Sequence, residues 1–266
     1  MGRTKELNRN HLASLFFPIA FVLLSACSVK EDRSLCPCVL ELEFAGSDTA
    51  GIRSVELLVT SAEGYVLSDT IDVIESGNRY SAPVPRTDLH VRAWAGTEGL
   101  ASEHGLLIPL GSPCPKVYMH DSDVCTEGEK VNETVFMRKN HCVVTLKTEG
   151  GVILPSDVIV RGNVAGYDDK GTPLSGTFEV LLEDRSGNGA YEFVLPRQKD
   201  ASLIMEVEDG RGGYKAFALG NYIASSGYDW NAPDLDDVVV VLDYALTEVI
   251  LTISGWEGVY RYEIEI

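Results

Sequence analysis

The chain has 266 residues, of which 22 are Lys or Arg and 40 are Asp or Glu, so its formal net charge is −18. This acidic balance argues against binding to nucleic acid, because phosphate contacts need clusters of basic side chains. It also argues against docking on an anionic membrane surface, and it favours solubility outside the cell. The length exceeds the usual size of a single domain, so we expect two domains.

The first 26 residues have the order of an export signal. Arg3, Lys5 and Arg9 supply the positive charge, and an apolar stretch covers residues 12–24. This stretch is shorter than the roughly 20 apolar residues that a membrane-spanning helix needs. We therefore expect residues 1–26 to be a signal peptide that is removed, which leaves 19 basic and 39 acidic residues and a formal charge of −20 on the mature chain.

The signal ends in a lipobox, in which Leu24, Ser25 and Ala26 precede Cys27. Small residues directly before a cysteine at the end of an apolar run indicate cleavage between Ala26 and Cys27 and acylation of the cysteine. Several acyl chains on one residue exceed the two signals that stable membrane anchoring needs. The alternative is an ordinary secretory signal with Cys27 as an incidental thiol. We expect the lipid.

A polar segment follows the lipidated cysteine and forms, with it, a tether over residues 27–35, which is too hydrophilic to pack into a core. Within it, Lys30, Glu31 and Asp32 resemble the signal that sends some lipoproteins to the outer leaflet of the outer membrane. A merely solvated linker is the alternative. We expect a surface-exposed protein held to the outer membrane by lipid.

The rest of the chain is a series of predicted strands, because short runs of β-branched and aromatic residues are separated by Gly, Asn, Asp and Pro. Turn residues stand at 62–64, 75–78, 168–171 and 186–189. Residues 106–129 are irregular, and a short helix is expected at residues 219–225. The predicted strands cover residues 39–45, 55–60, 65–74, 90–95, 131–137, 143–147, 158–165, 177–183, 191–195, 203–208, 238–242, 249–253 and 260–266.

This pattern predicts an all-β chain of antiparallel sandwiches. Four polar residues at 138–141 interrupt the strands, so we place a domain boundary there. The expected N-terminal domain covers residues 36–139, and the expected C-terminal domain covers residues 140–266.

Five cysteines remain after Cys27, and outside the inner membrane they can oxidise where the geometry allows it. Two disulfides and one free thiol can be arranged among them in about 15 ways, so the sequence does not select a pairing. We expect Cys114 to pair with Cys125, and Cys36 or Cys38 to pair with Cys142.

A metal site is the alternative for the cysteines, but their spacing is not that of a structural zinc site, which has two to four residues between paired cysteines. Acidic groups at 168–169 and 234–237 lack the Asp-x-Asp-x-Asp-Gly order of a calcium loop, so we expect acidic turns. No Ser, Cys or Asp stands in a recognisable catalytic setting, and the five histidines are scattered. We expect no metal, no cofactor and no enzymatic activity.

Four strings of residues are more specific than the periodicity. They are Cys-Ser-Val-Lys-Glu-Asp-Arg-Ser-Leu-Cys-Pro-Cys at 27–38, Val-Arg-Ala-Trp-Ala-Gly at 91–96, Arg-Lys-Asn-His-Cys at 138–142 and Tyr-Asp-Trp-Asn-Ala-Pro-Asp-Leu-Asp-Asp at 228–237. Together they resemble the FimB family of fimbrial anchor subunits over nearly the whole mature chain.

The resemblance implies two transthyretin-like β-sandwich domains in tandem and a place at the base of a surface pilus. Related pilins are also exported as lipoproteins, but an Arg-specific protease cuts them, frees them from lipid and opens a groove that a neighbouring subunit's strand fills. Anchor subunits escape the cut and keep their lipid, which attaches the fibre and limits its length. The implied partners are the fimbrial stalk subunits, called fimbrillins, and the membrane lipid.

The last predicted strand is a candidate for strand exchange with a stalk subunit. Tyr260, Tyr262, Ile264 and Ile266 alternate with polar residues and give the strand one apolar face. An unpaired sheet edge gains main-chain hydrogen bonds and apolar burial from an added strand. The alternative is that this strand completes its own sheet.

A surface glycan-binding lipoprotein is the alternative function. Exposed tryptophan rings stack on sugars, and the chain contains Trp94, Trp230 and Trp256. Trp94 lies in an alternating strand and is expected in the core. Trp230 lies in a polar loop beside Tyr228 and is the candidate contact for a glycan.

Overall fold

The strands among the described residues pair into four sheets, and the predicted all-β class is confirmed. The computed structural model describes residues 36–46, 50–97, 99–148, 157–182, 190–208, 213–243, 248–253 and 259–263. In these ranges no helix is long and apolar enough to cross a membrane.

In the first half of the chain, the described residues form ten strands, named β1 to β10 in chain order. They are β1 (Cys38–Ala45), β2 (Ser54–Ser61), β3 (Val66–Asp72), β4 (Arg79–Val84), β5 (Asp88–Ala95), β6 (Ala101–Ser102), β7 (Gly105–Leu107), β8 (Tyr118–Cys125), β9 (Lys130–Phe136) and β10 (Arg138–Lys139).

Where the second half is described, it contains nine strands and the helix α1, which has the predicted bounds. These elements are β11 (His141–Thr148), β12 (Val158–Tyr167), β13 (Pro173–Leu182), β14 (Ala190–Pro196), β15 (Ile204–Glu208), β16 (Tyr214–Phe217), α1 (Leu219–Ser225), β17 (Val238–Asp243), β18 (Glu248–Ile253) and β19 (Val259–Glu263).

In the first half, a sheet of order β4-β1-β9 faces a sheet of order β10-β8-β5-β2-β3. Alternate residues of β1 are buried because strand side chains point to opposite faces in turn, and Leu40, Leu42 and Phe44 are all at most 2% exposed. They share one apolar cluster with Leu57 and Val91 of the opposite sheet. The two sheets therefore form a sandwich around this first cluster.

The second half repeats this arrangement. A sheet of order β14-β11-β17-β18-β19 contains β11, which is antiparallel to β14 and parallel to β17, as β1 is antiparallel to β4 and parallel to β9. In the other sheet β16, β15, β12 and β13 are neighbours, which matches β8, β5, β2 and β3. The alternation of buried residues along β1 and β11 makes Cys142, Val144 and Leu146 the equivalents of Cys38, Leu40 and Leu42.

A hairpin of the first half joins a sheet of the second half. β7 pairs with β12, with Gly166 opposite Leu107. Gly105 and Gly166 both have positive φ angles, and a Cβ atom at either position would collide with the facing backbone. Leu106 consequently belongs to the second apolar cluster, together with Trp94 and Met119 of the first half. The boundary between domains at 139 and 140 stays a prediction.

Six strands were absent from the prediction, namely β4, β6, β7, β8, β10 and β16. The expectation of irregular chain at 106–129 was wrong for β8, whose centre is His120, Asp121, Ser122 and Asp123. These polar residues fit a strand because β8 pairs with β5 over its full length, and their side chains find polar partners there and on β9. Local composition therefore did not predict a strand whose polar side chains have their partners on strands that are distant in the sequence.

Candidate functional site: the first strand, the C-terminal strands and the junction

The residues of the predicted lipid attachment lie outside the described residues. These are Ala26 and Cys27 at the cleavage site and Lys30, Glu31 and Asp32 of the tether, so lipidation and surface export stay predictions. The described chain resumes at position 36, and β1 begins two residues later. The predicted tether thus leads into β1 without an intervening element.

β1 lies in the middle of its sheet. It forms six register pairs with β4 and seven with β9, from Val39 opposite Lys130 to Ala45 opposite Phe136. An ion pair of 2.7 Å joins Lys130 Nζ to Glu41 Oε1 across the β1–β9 pair. Because both edges of β1 are paired, removing it would expose the main-chain groups of two neighbouring strands and the first apolar cluster.

The predicted terminal strand is present as β19 at the edge of its sheet. It pairs with β18 in antiparallel fashion, with Tyr260 opposite Leu251 and Tyr262 opposite Val249. Ile264 and Ile266 lie outside the described residues. In this structure β18 and β19 complete the chain's own sheet, and exchange with a stalk subunit stays a prediction.

Two of the four motif strings, 138–142 and 228–237, meet at the junction between the halves. Arg138 Nη1 lies 2.9 Å from Asp234 Oδ2, and the Lys139 amide donates to Asp234 Oδ1 at 2.8 Å. The Leu235 amide donates to the Lys139 carbonyl at 3.1 Å. The loop thus binds both side chains and main chain of the crossing segment.

Asp237 extends this junction to the start of β11. Its Oδ1 atom accepts from Lys139 Nζ at 2.5 Å and from the Val143 amide at 2.8 Å. Asp237 directly precedes β17, and Val143 lies near the start of β11. One carboxylate therefore ties together the starting ends of these two neighbouring parallel strands.

Arg197 forms a half-buried part of the junction. Its guanidinium donates to Asn140 Oδ1, to the Trp230 carbonyl and, at 2.8 Å, to the Ala232 carbonyl. The Arg197 amide donates to the Tyr167 hydroxyl at 2.8 Å, and that hydroxyl donates to the Asn140 carbonyl. Burial lowers the pKa of Arg197 because desolvation penalises the charged form.

His141 is buried at the same crossing and is 1% exposed. Its Nδ1 atom lies 2.9 Å from the Val117 carbonyl, and the Tyr118 ring packs edge-on at 5.1 Å. Burial lowers the pKa of His141 to about 4, and the nearby Lys139 charge acts in the same direction. The imidazole is therefore neutral at physiological pH.

All five predicted disulfide cysteines are free, so neither expected pairing is present in the structure. Cys38 and Cys142 occupy equivalent positions but lie in different apolar clusters, and Cys114 is buried whereas Cys125 and Cys36 are exposed. Burial raises the pKa of Cys142 to about 12 and that of Cys114 further.

The tryptophans that are described do not offer exposed rings. Trp94 is 3% exposed in the second cluster, as expected. Trp230 is 9% exposed and packs edge-on against Tyr228 at 4.6 Å, so the expectation of an exposed ring in the polar loop was wrong. The loop folds inward because Tyr228 and Leu235 pack into the second cluster and the polar residues between them serve the junction. Trp256 lies outside the described residues.

Sequence reasoning missed a polar cluster on the outer face of β5 and β8. His90 Nδ1 lies 2.9 Å from Asp123 Oδ1, and His90 Nε2 lies 2.8 Å from Asp121 Oδ2, the latter an ion-pair distance without hydrogen-bond alignment. Partial burial raises the pKa of Asp121. Only the β5–β8 register brings these residues together, so no local signal could have indicated the cluster.

The acidic turn predicted at 168–171 is confirmed. Asp168 Oδ1 accepts from the Lys170 amide at 2.9 Å and from the Thr172 amide at 2.7 Å, which is how an aspartate stabilises a turn. Among the described residues, no group of three or more His, Cys, Asp or Glu side chains could hold a metal ion.

No protein-family profile matches this chain, and no curated protein matches it. Solved structures do match. A candidate polysaccharide-binding protein from Bacteroides thetaiotaomicron has a TM-score of 0.63 and 16% identity over 85% of this chain and 98% of that one. A candidate adhesin from Bacteroides ovatus has a TM-score of 0.58 and 12% identity over 89% and 98%.

The fimbrial anchor protein Mfa2 from Porphyromonas gingivalis also matches, with a TM-score of 0.56 and 11% identity over 83% of this chain and 98% of Mfa2. Identities this low establish a shared fold. The fold of this chain is therefore the β-sandwich fold of fimbrial and adhesin proteins.

Proposed function

We propose that this chain is an anchor subunit of the FimB type, which holds a surface fimbria to the outer membrane through lipid on Cys27. The observation that carries the proposal is the position of β1 in the centre of its sheet, directly after the tether. Ten residues, 28–37, separate Cys27 from β1, and a fully extended chain over these eleven steps spans at most roughly 40 Å. A lipid on Cys27 would thus be joined to the core of the fold, close to the membrane.

Two further observations support an anchor. The fold is shared with the fimbrial anchor Mfa2, over nearly all of that protein's length. In addition, the motif strings at 138–142 and 228–237, which resemble the FimB family, contact each other through Asp234 and Asp237. A resemblance whose separate strings meet at one junction is more informative than strings scattered over the surface.

The contact with the first stalk subunit is proposed at the C-terminal strands. β19 lies at a sheet edge, where main-chain groups are available to another strand. Pairing of strands between subunits combines main-chain hydrogen bonds with pockets for alternate side chains. Such a contact would attach the fibre and, because the anchor keeps its lipid, end its growth at the membrane.

The substitution Cys27→Ala tests the lipid anchor. We expect the protein and its fibres to move from the cell surface into the medium, measured by immunoblotting of cell and medium fractions and by electron microscopy. Cys125→Ala is the matched control, because it removes an exposed thiol outside the lipobox. Fibres that stay on cells carrying Cys27→Ala would contradict the proposal.

Glycan binding is the second candidate, and the likeness to a candidate polysaccharide-binding protein favours it. The burial of Trp94 and Trp230 speaks against the rings that the sequence suggested. Titration calorimetry of the intact protein with a panel of bacterial and host polysaccharides tests this function. Absence of measurable heat across the panel would reject it.

A further inference from the structure

The chain follows the same path through each half. It enters the first half at the start of β1 and reaches the end of β9, after which only the two-residue β10 precedes the second half, and β1 and β9 are parallel neighbours. It enters the second half at the start of β11 and reaches the end of β17, which is again a parallel neighbour. In both halves the entering and leaving points therefore lie at opposite ends of one hydrogen-bonded pair.

This geometry decides how the fold responds to tension. A pull on the entering and leaving points draws two parallel strands past each other along their length. All hydrogen bonds of the pair then resist together, in shear. A pull on two points at the same end of the pair would instead open the bonds one after another, and far less force would be needed.

The first pair is built to resist such sliding. Its seven register pairs run from Val39–Lys130 to Ala45–Phe136, and the Val39 amide donates to the Glu129 carbonyl at 2.9 Å. Leu40, Leu42 and Phe44 of β1 are buried, so sliding would also draw them out of the first cluster. β4 adds six register pairs on the other edge of β1.

The second pair is tied at its starting end. β11 and β17 form five register pairs, from Val144–Val238 to Thr148–Leu242. Asp237 binds the Val143 amide and Lys139 Nζ, so it closes the end at which peeling would begin. The crossing segment between the two pairs is held in addition by Asp234 through Arg138 and the Lys139 amide.

We propose that the β1–β9 and β11–β17 pairs are two shear clamps in series, which carry mechanical load between the N-terminal tether and the C-terminal strands. The use of this load path in cells rests on the proposed anchor function. The mechanical property itself belongs to the isolated fold and can be measured without fibres, so the two ideas can fail separately.

Single-molecule force spectroscopy on the full-length chain, kept free of lipid by Cys27→Ser, tests the clamp in the first half. Azide handles are placed at positions 36 and 136 for the shear geometry and at positions 36 and 127 for the same-end geometry. Phe136 and Glu127 are exposed, so the handles disturb no core contact. We expect a several-fold higher rupture force for the shear geometry. Equal forces would overturn the clamp.

Two variants at position 39 separate the contribution of main-chain hydrogen bonds to the rupture force from that of side-chain packing. Val39→Pro removes the amide that donates to Glu129, whereas Val39→Ala keeps it. We expect the proline variant to lower the shear force and leave the same-end force nearly unchanged, with the alanine variant close to the parent in both. If shear and same-end forces fall by equal fractions, the bonds do not share load and the proposal fails. Release of fibres by Cys27→Ala would stand in either case.

Discussion

The two halves share one strand order but differ on the open side of the sheet that contains their first strand. β17 carries valines at 238–241 and is covered on that side by β18. The equivalent β9 carries Asn132, Glu133 and Thr134, and no described strand pairs with that edge. Polar side chains on an open edge discourage unwanted pairing, whereas an apolar strand of this kind needs a cover.

The difference suggests what each half is for. The first half holds the tether and presents a polar edge, so strand pairing with other molecules is discouraged there. The second half has two strands beyond the repeat, β18 and β19, and its outermost edge is made by β19. Under the proposed anchor function, the first half would lie next to the lipid and the second half would supply strands for assembly.

The largest expected effect concerns the two cores. Leu42→Ala and Leu146→Ala truncate equivalent side chains, each 1% exposed, in the first and the second cluster. Each should lower the free energy of unfolding by about 2–5 kcal/mol, because a cavity replaces packed atoms. Denaturant unfolding followed by tryptophan fluorescence and far-UV circular dichroism measures this.

The same pair of variants reports whether the halves unfold together. Leu106, Trp94 and Met119 of the first half pack into the second cluster, so we expect one shared transition that both variants shift. A separate transition for each variant would instead support two independent domains divided at residues 139 and 140.

The alternation of apolar residues was sufficient to predict four strands inside the sheets, but not β8, which also lies between two neighbours. β1, β2, β11 and β12 bury every second side chain, so each carries its own signal. β4 carries Pro83 and buries only Ala82 and Val84, and it is stable because it lies at a sheet edge, where a missing amide costs little. Such a strand is recognisable only once its neighbour is known.

The motif strings of the junction could be recognised in the sequence, but the contacts between them could not be predicted. Both strings of the junction were noticed, but Lys139 and Asp234 are 95 residues apart, and no local pattern indicates that they meet. The sequence also could not predict that the cysteines are free, because disulfide pairing depends on which apolar cluster contains each thiol. Cys38 and Cys142 lie at one repeated position in two different cores, and this explains both the similar setting and the absence of a bond.

Acid should act on the crossing between the halves through His141, which has no histidine counterpart at the start of β1. The folded pKa of about 4 lies below the ordinary value of 6.5, so the unfolded chain binds the proton first. Stability from this group is complete above pH 6.5 and is lost as the pH falls towards 4, by roughly 3 kcal/mol. His141→Gln should flatten this part of the stability profile.

The matched control for that experiment is His104→Gln, because the His104 side chain is 86% exposed. Denaturant midpoints are measured between pH 7 and pH 4 for the parent and both variants. An unchanged slope in His141→Gln would show that carboxylates, and not this imidazole, govern the loss of stability in acid.

A substitution of Arg197 tests how much the junction between the halves contributes to stability. Arg197→Lys keeps the charge but cannot reach Asn140, Trp230 and Ala232 at once, because an ammonium group lacks the planar fork of a guanidinium. Losing these part-buried hydrogen bonds should lower the free energy of unfolding by about 2 kcal/mol. Lys199→Ala is the control, because that exposed side chain makes a single bond to Ser175.

Hydrogen exchange locates the effect: the amides of Val143 and Leu235 should lose protection in Arg197→Lys before those of Leu42 and Val91. Equal loss throughout the chain would mean that Arg197 supports the whole fold and not the junction.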